Sequence, residues 1–249
     1  MIFFPVRQFQ DQPEEFGLSA EEVRFETEDE VGLHGWFFSA TPHASGVHTR
    51  SICLVFLHGN AGNISTRLHK AKEWVMRGVS VLLFDYRGYG KSKGSIRSEE
   101  DLYRDSSAAI QWVKARGFTP SQIALYGESI GSVPAIHLAQ KEKFLALILE
   151  SPFTSLREIA KLHYGWAPAF FLKGFEMANE QKIPQIRSPV FILHGTDDEI
   201  SPFEMGRRLF EQAPEPKGFL AVDGGTHNDL SSVGGKDFYE KPFEFILGL

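Results

Sequence analysis

Short runs that are apolar throughout recur along the chain. They are Ser51-Ile-Cys-Leu-Val-Phe-Leu57, Val79-Ser-Val-Leu-Leu-Phe84, Ile123-Ala-Leu-Tyr126, Phe144-Leu-Ala-Leu-Ile-Leu149, Pro189-Val-Phe-Ile-Leu-His194 and Phe219-Leu-Ala-Val222. A run this short, without polar alternation, predicts a strand covered on both faces of a parallel sheet. Helical stretches are predicted between them. One runs from a Ser65 cap to about Arg77, where Gly78 ends it. A second opens on Ser98-Glu-Glu-Asp101, a hydroxyl cap with an acidic first turn, and reaches about Arg116 before Gly117. Others span Ser132 to Gln140, Pro202 to Gln212 and Tyr239 to Leu247.

The first part of the chain reads differently. Residues 1–22 are mixed and proline-punctuated, as expected of a segment wrapping a domain edge. Val23-Arg-Phe-Glu-Thr27 and Leu33-His-Gly-Trp-Phe-Phe38, joined by the acidic turn around Glu28-Asp-Glu30, predict an antiparallel hairpin, and residues 41–50 a polar loop. Strands alternating with helices predict a mostly parallel, eight-stranded sheet with helices on both faces and the hairpin at its edge. No strand pattern occurs between Glu150 and Ser188. That interval carries His163, Tyr164, Trp166, Phe170, Phe171 and Phe175 on two short helical pieces. So long a strand-free interval in a compact domain predicts a small lid, residues 152–188, over the carboxyl ends of the strands. The competing reading is an ordinary helical crossover packed by aromatics.

Composition narrows the picture. At 249 residues, 42% hydrophobic and 23% charged, the chain fits one large α/β domain ahead of two small ones. A net charge of −6 disfavours nucleic acid and anionic membranes as partners. The single cysteine, Cys53, excludes an intrachain disulfide and suggests a reducing, cytoplasmic compartment. Met1-Ile-Phe-Phe-Pro-Val-Arg7 is too soon broken by Pro5 to read as a signal peptide or a membrane span, so no stable membrane insertion is expected.

Between the strand at Ile123 and the helix at Ser132 stands Gly127-Glu-Ser-Ile-Gly131, the pattern G-x-S-x-G. A serine held proud of a sheet by a tight strand-to-helix turn needs backbone room beside it, which glycine leaves. Five residues in a chain holding 23 glycines are a weak signal by themselves, so Ser129 needs partners. A serine nucleophile requires a base, and the base an orienting acid. Of nine histidines, His34 lies in the hairpin, His43 and His48 in the polar loop, His69 and His137 in helices, and His163 in the lid interval. His58 and His194 precede glycines at strand ends and read as turn residues. His227, in Asp223-Gly-Gly-Thr-His-Asn-Asp229 after the last strand, is the base favoured by position. For the acid, Gly195-Thr-Asp-Asp-Glu-Ile200 offers Asp197 and Asp198, with Glu150 a weaker third. An oxyanion would be met by the backbone N–H of Ile130, after the nucleophile, and by that of Asn60 in His58-Gly-Asn-Ala-Gly-Asn63.

Rival chemistries fail on spacing. Gly88-Tyr-Gly-Lys-Ser92 ends like a phosphate-binding loop, but position 85 holds Asp where that motif needs Gly, and a dinucleotide fingerprint from Gly88 meets Lys93. No His-Glu-x-x-His or paired cysteines suggest a metal, and no cofactor is expected. A non-catalytic binding module on the same fold would be expected to carry a damaged triad or oxyanion loop.

Taken together, Gly127-Glu-Ser-Ile-Gly131, the 58–63 loop, Phe84-Asp-Tyr-Arg-Gly-Tyr-Gly90, His194-Gly-Thr-Asp-Asp-Glu-Ile200 and Gly224-Gly-Thr-His-Asn228 resemble the α/β-hydrolase superfamily. The order Ser, Asp, His matches that superfamily. Within it the chain resembles the small-lid serine hydrolases of the α/β-hydrolase-domain group that process lipids and acyl proteins, over nearly its whole length. The resemblance implies the acid three residues beyond the glycine of the His-Gly pair, which is Asp198. It implies a metal-independent serine hydrolase acting on carboxylic esters or thioesters, with amide or peptide substrates as the alternative. A small-molecule ester or acyl substrate is the expected partner, with His163, Tyr164, Trp166 and Phe170 of the lid interval as its contacts. Members of the group often carry an N-terminal membrane anchor, which is not seen here, and Glu30-Val31 replaces the Asp-Gly common in their hairpin.

Overall fold

The computed structural model describes residues 3–40, 51–165 and 172–249. They gather into two compact units, residues 1–125 and 126–249. The first holds strands β1 (Phe4–Pro5), β2 (Glu21–Glu26), β3 (Gly32–Phe38), β4 (Cys53–Leu57), β5 (Ala61–Gly62) and β6 (Ser80–Asp85), with helices α1 (Leu68–Met76) and α2 (Glu99–Ala115). Its sheet runs β4-β6-β3-β2. The expected hairpin is present, with β2 antiparallel to β3 and Val23 opposite Gly35, while β4 and β6 pair in parallel. Every residue of β4 and β6 is buried, whereas edge strand β2 is mostly exposed. Burying a Leu, Val or Phe contributes about 1.5–3 kcal/mol, against roughly 1–2 kcal/mol for ordering a residue's backbone. The inner strands therefore hold the edge in place.

Two local details depart from the expected pattern. Ser65 does not cap the first helix. Asn63 accepts the Ser65 N–H instead and opens a tight turn over Ile64–Arg67, and α1 starts only at Leu68. Ser65 is fully buried, and its hydroxyl also bonds to Asn63. The N-terminal segment, expected at an edge, pairs in parallel with the 58–63 loop, Phe4 opposite Ala61. Asn63 Nδ2 donates to the carbonyls of Val6 and Gln8, at 3.0 and 2.8 Å. A buried Arg87 closes the other end of this unit, with Asp29, Asp101 and Asp105 at 2.8, 3.0 and 2.8 Å.

The second unit runs β10-β9-β8-β7, built from β7 (Ile123–Glu128), β8 (Ala146–Glu150), β9 (Val190–Gly195) and β10 (Lys217–Val222). Strands β8, β9 and β10 pair in parallel. The helices are α3 (Ser132–Lys141), α4 (Leu156–Tyr164), α5 (Asn179–Lys182), α6 (Phe203–Gln212), α7 (Leu230–Val233) and α8 (Gly235–Leu247). Helix α8 begins four residues before the expected Tyr239, because Gly234-Gly235 masks a first turn that the fully buried Phe238 anchors. Among the described residues the 152–188 interval contains α4 and α5 and no strand. Both are tied to α6 by Arg208, which bonds Glu158 and Glu180 at 2.7 Å each. The expected contacts Trp166 and Phe170, with Phe171, lie outside the described residues.

Candidate active site

Strand β7 ends at Glu128, and the next residue, Ser129, takes φ 51°, in the left-handed region. A non-glycine residue held there costs about 1–3 kcal/mol, so the surroundings must over-determine it. They do so through Gly127. A Cβ at that position would lie 2.8 Å from the Gly131 carbonyl oxygen and 2.9 Å from Ser132 Cα, so only glycine lets the chain double back this tightly. The turn Ser129–Gly131 leads into α3, and Asn179, fully buried, braces that start by donating to Ser132 Oγ at 3.1 Å.

His227 stands in the loop between β10 and α7, its side chain 9% exposed. Its Nε2 is 3.0 Å from Ser129 Oγ. Its Nδ1 lies 2.8 and 3.0 Å from the two Asp198 oxygens. A carboxylate only accepts, so Nδ1 carries the ring proton and Nε2 is left to accept from the serine hydroxyl. Asp198 Oδ1 also accepts the Ile200 and Ser201 N–H groups, at 3.0 and 2.8 Å. Burial, the largest influence, works to raise the Asp198 carboxyl. Hydrogen bonds from His194 and His227, the nearby His227 charge and the Ser201 N–H outweigh it and hold the carboxyl well below the usual range.

Geometry separates the three acids. Asp197, exposed, accepts from Thr196 Oγ1 at 3.2 Å, and its N–H bonds Gly225. Glu150 is buried and accepts from Tyr126 Oη at 2.6 Å. Asp198 is the acid that meets the His227 Nδ1. The loops bearing Asp198 and His227 are stitched together in a way that the sequence signals only faintly. A Cβ at Gly195 would fall 2.1 Å from the Gly225 carbonyl oxygen, Thr196 N–H bonds Val222 O at 3.0 Å, and Gly224 N–H bonds Thr196 Oγ1 at 2.8 Å.

The other expected site residues fall as follows. Ile130, 6% exposed, follows Ser129 within the turn Ser129–Gly131. Asn60, in the first unit, has its carbonyl and side-chain oxygens held by Tyr89 Oη, at 2.7 and 3.2 Å. His163 is exposed, and its Nε2 bonds the Ile200 carbonyl at 2.8 Å, tethering α4 to the loop that carries Asp198. Tyr164 is 79% exposed at the end of α4. No group of three or more His, Cys, Asp or Glu side chains suited to a metal occurs among the described residues.

A family profile described as serine aminopeptidase, S33, matches residues 48–176, just over half of the chain. An uncharacterized protein of Mycobacterium tuberculosis is 38% identical over 216 residues, covering 86% of this chain and 75% of its own. The uncharacterized Escherichia coli protein YfhR is 33% identical, covering 92% of this chain and 81% of its own. The chain belongs to the α/β-hydrolase superfamily. Alpha/beta hydrolase domain-containing protein 17B of Xenopus laevis is 36% identical over 200 residues, 78% of this chain and 65% of the frog protein. The fold agrees. The Pyrococcus furiosus esterase Pf2001 superposes with a TM-score of 0.80 at 21% identity, over 98% of this chain and 97% of its own. The matched profile includes Ser129 and ends before Asp198 and His227. No described helix is long and apolar enough to cross a membrane.

Proposed function

We propose that this member of the superfamily is a serine hydrolase that cleaves carboxylic esters or thioesters through an acyl-enzyme. The observation that carries the reading is the unbroken run of contacts from Ser129 Oγ through His227 to Asp198. Ser129 attacks the substrate carbonyl as His227 Nε2 takes its proton. The imidazolium then passes that proton to the leaving oxygen or sulfur as the tetrahedral intermediate collapses. Water, activated by His227, hydrolyses the acyl-serine and restores the site. Asp198 stays ionised, fixing the tautomer and stabilising the imidazolium. The N–H of Ile130 supplies an oxyanion donor on this reading, and such a donor contributes about 2.7–4 kcal/mol to the transition state.

An apolar acyl group is the substrate feature suggested by the aromatic stretch with Tyr164, Trp166 and Phe170. The esterase named among the similar folds and the hydrolase-domain relative are compatible with ester cleavage. Amide or peptide hydrolysis is the second reading, favoured by the serine aminopeptidase description of the matching family. The deciding experiment is fluorophosphonate labelling of the wild type and Ser129→Ala, alongside p-nitrophenyl esters of increasing chain length and aminoacyl anilides. Labelling lost in the variant, with ester turnover exceeding anilide turnover, is expected. Labelling that persists in the variant moves the nucleophile elsewhere. A folded wild type that neither labels nor turns over points to a binding module.

A further inference from the structure

The end of β9 holds a second histidine that the proton relay does not use. His194, the penultimate residue of β9, is fully buried. Its Nε2 lies 2.7 Å from the Ser201 carbonyl oxygen and 3.4 Å from Asp198 Oδ2. A carbonyl only accepts, so Nε2 carries the hydrogen and Nδ1 is a bare acceptor. Nδ1 has no hydrogen-bond partner among the described residues. It faces Gly206 of α6 so closely that a Cβ there would come within 2.1 Å, and Phe203 meets the ring edge-on at 5.9 Å. Burying an unpaired polar nitrogen is unfavourable, a cost that an apolar side chain of similar size avoids. What offsets it is on the other edge of the ring, against the Asp198 loop.

We propose that His194 is a positioning residue for the relay, holding the Asp198 carboxylate toward His227 and drawing off part of its negative charge. The proposal rests on the hydrolase reading only for the use made of that charge. The one His194 hydrogen is divided between the Ser201 carbonyl at 2.7 Å and, more weakly, Asp198 Oδ2 at 3.4 Å; Oδ2 also meets His227 Nδ1 at 2.8 Å, and Oδ1 takes the Ile200 and Ser201 N–H groups. Every donor on the carboxylate other than His227 weakens its pull on the His227 proton. Removing the His194 donor therefore concentrates the charge on His227 and makes its imidazolium easier to form. The titratable group facing His194 is Asp198; α6 presents Gly206 and Phe203, which do not titrate. His227 faces Asp198 and Ser129, and Asp229 in its own loop is engaged by the Thr226 N–H.

The test follows the His227 imidazole by NMR titration in the wild type, His194→Leu and His194→Gln. In the leucine variant the midpoint should rise by about half a pH unit. The acid limb of kcat/KM should move with it, and kcat/KM should fall about tenfold. Glutamine, whose amide N–H reaches the Nε2 position, should restore the wild-type midpoint. An unchanged midpoint in a folded leucine variant, or glutamine behaving like leucine, would overturn the proposal. Should the leucine variant not fold, His194→Gln decides: a wild-type His227 midpoint upholds the proposal and a raised one overturns it. Failure of fluorophosphonate to label Ser129, with the midpoint still moved, would sink the enzyme reading and uphold the coupling.

Discussion

Two aspartates stand at strand ends, one in each compact unit, and burial pushes both toward keeping a proton. Asp85 closes β6 in the first unit, fully buried, and burial raises its carboxyl to about 7. Only the Ile64 N–H bonds to its Oδ1, at 2.9 Å, and Oδ2 has no hydrogen-bond partner among the described residues. The nearest imidazole nitrogens, on His58 and His34, stand at 3.8 and 4.0 Å. Asp198 in the second unit is 5% exposed, yet two backbone N–H groups and two imidazoles hold its carboxyl low. Burial alone therefore does not decide whether a carboxyl is charged. The number of donors converging on it does, and the second unit supplies them at the site where a permanent negative charge is useful.

That contrast can be broken at its strongest point first. Asp198→Asn should lower kcat/KM about 10⁴-fold, while Asp197→Asn stays within a few-fold of wild type. Equal, small losses would shift the acid to Glu150. Arg87→Met in the first unit should act on stability instead. It strands the buried Asp101 and Asp105 carboxylates, with the exposed Asp29 beside them, and breaking such a buried pair costs roughly 3–5 kcal/mol in urea unfolding, with turnover per folded molecule retained. A comparable loss of turnover per folded molecule would erase the division between the two clusters.

Asp85 makes a smaller and pH-dependent claim. Its folded carboxyl, near 7, binds a proton more tightly than the unfolded one near 3.9, so its contribution to stability is present at low pH and lost as pH rises from about 4 through 7. The swing is up to about 4 kcal/mol, and Asp85→Asn should flatten it. A stability–pH curve with the same slope in the variant would assign that slope to other groups. The smallest effect on stability is expected at the elbow. Ser129→Gly should relieve the positive φ and stabilise the fold by about 1 kcal/mol, seen as a higher thermal midpoint, while abolishing activity.

Much of this fold was legible in the residue pattern. The apolar runs reappear as β4, β6, β7, β8, β9 and β10 with ends shifted by at most two residues, because burial on both faces of all but the half-buried β10 leaves no polar position to obscure the period. The hairpin and α2 were equally plain. What escaped was short or long-range. The pairing of Phe4–Pro5 with Ala61–Gly62 involves two residues a side and leaves no periodic trace. The cap went to Asn63 rather than Ser65 because the turn before α1 bends the chain through an extra 3₁₀ segment. His194, read as a turn residue from its place before a glycine, owes its role to a carboxylate four residues on that folds back against it.

By itself the sequence determined the order of strands and helices, the elbow around Ser129 and the short list of residues able to serve it. These are local properties: apolar periodicity, glycine at a crowded turn, and chemical type at a strand end. The choice among neighbours belonged to the tertiary structure. Asp197 and Asp198 are adjacent and chemically identical, so only the meeting of two loops, 29 residues apart at Asp198 and His227, decides which carboxylate reaches the ring. The same meeting sets how many donors converge on Asp198 and hence that it stays charged. Such convergence is a matter of distance and direction in space, and no spacing along the chain encodes it.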